Sequence, residues 1–412
     1  MCCAVLSLRP MYDIIVIGGG IVGTAAALKL NTHHPHLKIL VLEKDTIAAH
    51  QTGHNSGVIH SGLYYKPGSY KAKNCVDGRR ELVAFAKQYH IKHDICGKII
   101  VATHQSELPY MNKAFNNGLQ NGVEGIEKIN AQQIQDIEPF ARGIEGIWVP
   151  CTGIIDFAQV ARTYVQIIEQ QFAGSKVLEN HEVKGFEHHT DATTVVTKKG
   201  NFKGCYIINC TGLYCDKIAL KEGVKPNMKI VGFRGDYYDL TEAGRHKVRN
   251  LIYPVPNPEF PFLGVHFTRM VSGETECGPN AVFTFKREGY GKSDFDLADT
   301  ADALFYKGTW KLFYKHWRFG LDEYKRAFSK KLFLERLQRM LPGLTMDDLK
   351  PGRAGVRAMA LDADGNMIDD FKIEHKGNAL HVLNAPSPAA TASLAIGNAI
   401  RQMADERFAG LK

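Results

Sequence analysis

The nine cysteines of this 412-residue chain form no Cys-x-x-Cys pair, and their number is odd. A disulfide framework is therefore not indicated, and a reducing, cytoplasmic setting fits the cysteine usage. Cys205, Cys210 and Cys215 recur at a spacing that matches no zinc or iron–sulfur pattern, so no metal is expected. A long basic run is also missing, because the formal charge of +8 is spread along the chain. That distribution argues against nucleic acid and leaves small anionic partners. Nor is there an uninterrupted apolar span. Residues 11–30 come nearest, but Asp13, Gly18 to Gly20 and Lys29 interrupt them, and no small-residue cleavage site follows. A soluble protein is expected, with residues 1–10 ahead of the fold and Met11 as an alternative start.

With 412 residues and 44% hydrophobic content the chain can bury a full core and exceeds the usual size of one domain. The stretch "YDIIVIGGGIVGTAAALKL" reads as an apolar strand over Ile14 to Ile17, a glycine turn and an alanine-rich helix opened by Ile21 and Val22. Gly18, Gly20 and Gly23 stand at Gly-x-Gly-x-x-Gly spacing. The first serves a tight turn, the second lets backbone approach a pyrophosphate closely, and the third allows close helix–strand packing. The helix N-terminus then offers N–H groups and a positive dipole end. A second strand, "LKILVLEKD", ends on Glu43 and Lys44, which puts an acid where a ribose would need one. No second fingerprint of this kind occurs, so one dinucleotide is implied. FAD is favoured over NAD because "ALHVLNAPSPAATASLAIGNAI" forms another strand–loop–helix unit near the C-terminus. Its loop, with Ser387, Ala389, Ala390 and Thr391, faces a further portion of the ligand and can stabilise a reduced flavin ring.

The segment "GHNSGVIHSGLYYKPGSYKAK", residues 53–73, is rich in glycine, histidine and lysine. Its glycines, Gly57 among them, free backbone N–H groups to approach a ligand, and Thr52, Asn55 and Ser56 supply polar side chains. Together with "FRGDYY", "GPNAVFTFKREGY", "AGVRA", "YPVPNPEFPFLGVHFT" and "NAPSPAATASLAIG", this segment closely resembles the L-2-hydroxyglutarate dehydrogenase/oxidase family. These are FAD-dependent flavoproteins of the D-amino-acid-oxidase type, and the likeness runs from about Met11 to Phe408. The segment "HFTRMVSGETECGPN" departs locally, lacking a proline after its first threonine.

The resemblance implies an α/β fold in which a Rossmann-like FAD-binding domain, residues 11–89, 153–224 and 349–412, interleaves with a mixed β-sheet/α substrate domain, residues 90–152 and 225–348. It also implies that the Cys210-Thr211-Gly212 turn lies near the dinucleotide, that Val183 touches the adenine, and that His60 emerges beside the reactive ring. The implied reaction is oxidation of L-2-hydroxyglutarate to 2-oxoglutarate by hydride transfer to flavin N5, with quinone or oxygen as final acceptor.

That chemistry needs a neutral imidazole to take the hydroxyl proton, and His60 and His266 are both candidates. A 2-hydroxy dicarboxylate also needs cationic clamps. Arg353, Arg357 and Arg234 are favoured for this, followed by Tyr253 and Lys66, with Arg287 less so. In residues 310–340, Phe313, Trp317, Leu321, Tyr324, Phe328 and Leu332 recur at helical spacing among lysines and arginines. A helix pair broken at Gly320 and packed inside the substrate domain is the expectation; peripheral contact with the inner face of a membrane is the alternative. Glycerol 3-phosphate or an amino acid is the alternative substrate, and a dinucleotide-binding sensor without turnover the alternative class.

Overall fold

The computed structural model describes residues 11–256 and 263–407. Residues 1–10 and part of "YPVPNPEFPFLGVHFT" lie outside the described residues. The expected first strand spans Tyr12–Ile17 and is buried except at Asp13. It pairs in parallel with Ile39–Leu42 on one side and Gly200–Asn209 on the other, which is why its sequence is continuously apolar. The first half of Gly200–Asn209 forms a hairpin with Thr193–Thr197, and its second half takes Ala379–Asn384 as a parallel neighbour. Eight strands of the described residues belong to this sheet. Helix Ile21–His33 packs on it against the C-terminal helix Ser393–Arg407. A Cβ on Gly397 would stand 2.7 Å from the Ala25 carbonyl oxygen, so only glycine allows these helices to approach so closely.

A second sheet has nine described strands. Its longest pair is Lys229–Leu240 against Leu349–Leu361, antiparallel from Lys229↔Leu361 to Leu240↔Leu349. The whole strand Leu349–Leu361 therefore belongs to the second sheet. The boundary expected at residue 349 falls before this strand, whereas the chain returns to the first sheet only with Lys372–Lys376 and Ala379–Asn384. Near the middle of the second sheet, Leu251–Pro254 lies between Lys98–Ala102, in parallel, and His266–Arg269, antiparallel. A third, small sheet joins Val58–Ile59, His93–Asp94 and Gly153–Ile155.

The amphipathic stretch forms helices Lys307–Phe328 and Lys330–Leu337. The break inside the first falls at His316 (φ −122°, ψ 23°) rather than at Gly320. Ser329 starts the second helix, its hydroxyl accepting from the Leu332 N–H at 3.3 Å. The stripe divides: Phe313 packs on Phe283 at 5.4 Å and the Tyr324 hydroxyl donates to the Phe283 carbonyl at 3.0 Å, while Trp317, Leu321 and Phe328 are exposed by 54%, 53% and 71%. Among the described residues no helix is long and apolar enough to cross a membrane.

Candidate active site

The glycine turn opens onto a cavity of about 1310 Å³, larger than the roughly 300–1,000 Å³ of a pocket for a drug-sized ligand. Gly18, with φ +111°, passes so near the next strand that a Cβ would stand 2.5 Å from the Cys210 carbonyl oxygen. On Gly23 a Cβ would lie 2.0 Å from the Gly18 carbonyl oxygen, so this glycine seats the helix on its strand and lies behind the cavity wall. Gly20 has open space before it, the nearest atom to its Cβ position being the Thr52 hydroxyl at 3.4 Å. Gly18 and Gly23 thus answer close backbone contacts, while Gly20 leaves space at the start of the helix. Thr52 accepts from the Ile21 N–H at 3.0 Å, taking up one of the helix's orphan donors. Glu43 accepts from the Gly19 and Asp45 N–H groups at 2.7 and 2.9 Å, which fixes its carboxylate at the end of Ile39–Leu42.

Ile21, Val22, Lys44, Val183, Thr211 and Gly212 line the same cavity. The Lys44 ammonium is paired with Glu288 and lies 4.4 Å above the Tyr214 ring. Cys210 and Cys215 are buried separately, Cys215 donating to the Leu383 carbonyl at 3.0 Å. Glu43, Asp45 and His50 do gather ligand atoms within 4.8 Å, but Asp45 and His50 already pair with each other.

The loop after Thr52 lines the cavity with His54, Asn55, Ser56, Val58 and His60. The Asn55 side chain closes it, donating to the Thr52 carbonyl at 2.7 Å and accepting from the Gly57 N–H at 2.9 Å. Gly57, at φ +64°, lies behind the lining, where a Cβ would meet the Ile155 carbonyl oxygen at 2.9 Å. From the C-terminal loop come Ser387, Ala389, Ala390 and Thr391. The buried Thr391 hydroxyl donates to the Val58 carbonyl at 3.2 Å and accepts from the His60 N–H at 3.1 Å. Two segments more than 300 positions apart in sequence are thereby fastened beside His60.

His266 reaches the cavity from the second sheet. Its Nδ1 lies 2.9 Å from the Gly264 carbonyl oxygen. Since a carbonyl only accepts, Nδ1 carries the hydrogen and the neutral ring keeps its lone pair on Nε2. The register that pairs Leu251 with Thr268 and Ile252 with Phe267 sets Tyr253 beside His266, ring centres 4.0 Å apart. Burial, opposed by the Gly264 hydrogen bond and assisted by the charges of Arg357 and Lys98, lowers the His266 pKa to about 3. Burial, then Lys98, His266 and Lys71, lowers that of His60 to about 3. Both imidazoles are neutral at physiological pH.

The expected cations separate. Arg357 and Tyr253 line the cavity, and the Arg357 charge acts on His266 and Tyr237. Arg353 does not line it. Its guanidinium pairs with Glu276 and donates to the Gly53 and Asn55 carbonyls at 2.9 and 2.6 Å, strapping the cofactor-side loop to the sheet. Arg234 is held by Asp236 at 2.8 Å and by the Gly291 carbonyl at 2.6 Å, outside the lining. Lys66 is exposed and also outside it. Arg287 is buried against Asp216 at 2.5 Å and Asp302 at 2.8 Å. It joins helix Cys215–Lys221 to helix Leu297–Leu304 and is occupied structurally.

The lining also includes Tyr64, Tyr65, Lys71 and Tyr237, which the sequence does not single out. Lys71 is paired with Asp369 at 2.7 Å and lies 5.1 Å above the Tyr65 ring. The run "YYKPGSYKAK" carries a signal in its interleaved tyrosines and lysines, but the lysine that meets the cavity is Lys71 and not the expected Lys66.

A model of the DAO family, FAD dependent oxidoreductases, matches residues 13–403. The L-2-hydroxyglutarate dehydrogenase of Indibacter alkaliphilus is 47% identical, over 96% of this chain and 100% of its own. The mitochondrial L-2-hydroxyglutarate dehydrogenase of Homo sapiens is 45% identical, over 96% of this chain and 89% of its own. Among solved structures, an FAD-bound L-alpha-glycerophosphate oxidase from Mycoplasma pneumoniae superposes with a TM-score of 0.77 at 20% identity, covering 96% of this chain and 95% of that one. Glycine oxidase from Geobacillus kaustophilus gives 0.73 at 13%, covering 98% of each; these two share the fold. The residues present fit FAD: an open Gly20 at a helix N-terminus, a fixed carboxylate at Glu43, and one continuous cavity leading to two neutral histidines. With that cavity and a match along nearly its whole length, the chain belongs to the DAO family of FAD-dependent oxidoreductases, alongside its L-2-hydroxyglutarate dehydrogenases.

Proposed function

We propose that the protein oxidises L-2-hydroxyglutarate to 2-oxoglutarate. The observation that carries this reading is the meeting of His266, its Nδ1–H committed to Gly264, with Arg357 in the cavity that the glycine turn opens. Bound FAD supplies the hydride acceptor. His266 takes the substrate hydroxyl proton on Nε2, and the tilted contact with the Tyr253 ring, 35° between planes, supports the imidazole for that transfer. The Arg357 guanidinium meets a substrate carboxylate with two parallel hydrogen bonds. His60, anchored by Thr391, is the second imidazole of the pocket and orients the hydroxyl. Burial of both rings keeps them unprotonated, so neither repels a proton arriving from the substrate. Glu43 receives the ribose hydroxyls and the Ile21 end of the helix the phosphates.

A panel of L-2-hydroxyglutarate, its D-enantiomer, glycerol 3-phosphate and amino acids tests the reading. Preference for the phosphate or for an amine would reject it. The relatives' names favour the dicarboxylate, and the arginine in the lining fits a carboxylate.

The electrons are proposed to leave to a quinone at a membrane surface. Trp310, Tyr314 and Trp317 of helix Lys307–Phe328 are exposed, with Leu321 and Phe328 further along it. The Arg318 guanidinium lies 5.3 Å above the Trp317 ring. An apolar, aromatic surface set among cations is suited to an anionic lipid interface.

A further inference from the structure

Lys98 begins the strand Lys98–Ala102 and is only 1% exposed. A lysine in such a place is uncommon unless paired. Its ammonium lies 4.9 Å from the ring centre of Tyr64 and 4.8 Å from that of Tyr253, within the range of attraction by a ring face. No carboxylate forms an ion pair with it among the described residues. The titratable groups acting on it are the thiols of Cys75, on helix Tyr70–Gln88, and Cys151, after strand Glu145–Val149. Burial keeps both thiols protonated, and Cys75 is pushed up to about 12. They therefore do not compensate the cation.

The sheet places that charge near the site. Tyr253 stands on the strand between those of Lys98 and His266, with its ring against the imidazole at 4.0 Å. Around the imidazoles, Lys98 acts with Arg357 on His266, and with His266 and Lys71 on His60. The charges of Glu276 and Arg357, and the Tyr237 hydroxyl, act on Tyr253.

We infer that Lys98 is a positioning residue of the oxidation site: held in its tyrosine cage, its ammonium adds to burial in disfavouring a second positive charge at the histidines and favours an anionic substrate. This rests on the reading of His266 as base for a dicarboxylate. The cation raises the cost of a second positive charge nearby and lowers the cost of bringing carboxylates into the cavity. Because burial lowers the Lys98 pKa to about 8, the effect is present below that pH and fades as pH rises through it.

The test measures the Kd of 2-oxoglutarate from the flavin absorbance change, and kcat/KM for L-2-hydroxyglutarate, between about pH 5 and 9.5, a range that brackets the ordinary imidazole value and the lowered lysine one. It compares the wild type with Lys98→Met and Lys98→Arg. For the wild type, binding should weaken as pH passes about 8. With Lys98→Met the Kd should rise about tenfold near neutral pH and lose its dependence on alkaline pH. The acid limb of kcat/KM should move up toward the ordinary imidazole value of about 6.5. Lys98→Arg, which keeps the charge and does not titrate near about pH 8, should restore the Kd near neutral pH and the acid limb, without weakening at alkaline pH. An unmoved pH profile and Kd in Lys98→Met, with wild-type reduction normal, overturns the role of Lys98 alone. If Lys98→Met does not retain FAD, a wild-type Kd that stays flat through about pH 8 overturns it equally. A wild type that neither binds 2-oxoglutarate nor is reduced removes the substrate reading itself.

Discussion

His266 and Gly264 are two residues apart, and the 2.9 Å contact from the ring Nδ1 to the glycine carbonyl decides which nitrogen of the imidazole can act as a base. The bond is made within one segment and needs no substrate group, so the tautomer is set before substrate arrives.

The first prediction concerns that base. His266→Asn should slow flavin reduction by about 10²–10⁴-fold, the usual contribution of a positioned acid–base group. 2-Oxoglutarate binding should be largely kept. His60→Asn should have the smaller effect on the reduction rate and the larger one on KM. Rapid-mixing absorbance measurements on both variants check this, and an unchanged rate in His266→Asn with a slow His60→Asn would exchange their roles.

Stability should depend on pH through the same rings. Each is neutral in the fold down to about pH 3, whereas an unfolded histidine takes up a proton near about pH 6.5. Between these values the unfolded state binds more protons, so stability is full above about pH 6.5 and is lost as pH falls. The slope reaches about 1.4 kcal/mol per pH unit for each such group. Melting temperatures of the wild type and His266→Gln should therefore converge between about pH 7 and about pH 5; curves that stay parallel would contradict this.

The two arginines of strand Leu349–Leu361 should separate by assay. Arg357→Met should weaken 2-oxoglutarate binding by about tenfold or more, as expected for loss of charged hydrogen bonds. Arg353→Met should cost stability and FAD retention through the Gly53–Asn55 loop, with a smaller change in Kd. Calorimetric titration together with thermal melts distinguishes the two; a Kd raised more by Arg353→Met would reverse the assignment.

Much of the nucleotide half of the molecule is legible in the sequence because its determinants are local. The spacing of Gly18, Gly20 and Gly23, the apolar run before them and Glu43 after the next strand each act within a few residues of their own position. The oxidation half depends on register. Alternation along the strand puts Arg353 and Arg357 on one face, but an irregularity opposite Asp236–Tyr238 falls at Arg353 and breaks the alternation there. Only Arg357 then meets the cavity. Lys98 is hidden for the opposite reason: as the head of the apolar run "KIIVA" it looks like the solvent-facing start of a strand, and only the neighbouring strand shows that it is covered. The same pairing of distant segments explains why a boundary at residue 349 precedes a strand that belongs to the second sheet.

Gly23→Ala tests the nucleotide site from its packing side. A methyl group 2.0 Å from the Gly18 carbonyl oxygen forces helix Ile21–His33 off its strand, at a cost of about 3 kcal/mol. The purified variant should be colourless or hold little FAD, as read by its absorbance spectrum. Full flavin content would contradict the division of roles among the glycines.

For the exposed aromatic helix, the protein should sediment with vesicles containing anionic lipid and remain free of neutral ones. The double variant Trp310→Ser, Trp317→Ser should lose that binding while keeping its activity with a soluble dye acceptor. Equal sedimentation of the variant would remove this face from the membrane reading.

The most direct test of the central claim is anaerobic mixing of the purified yellow holoenzyme with L-2-hydroxyglutarate, followed through the flavin absorbance. Full bleaching, with one 2-oxoglutarate formed per flavin and little response to glycerol 3-phosphate, is the expected result. A flavin that stays oxidised with L-2-hydroxyglutarate while another substrate bleaches it would contradict the proposed reaction.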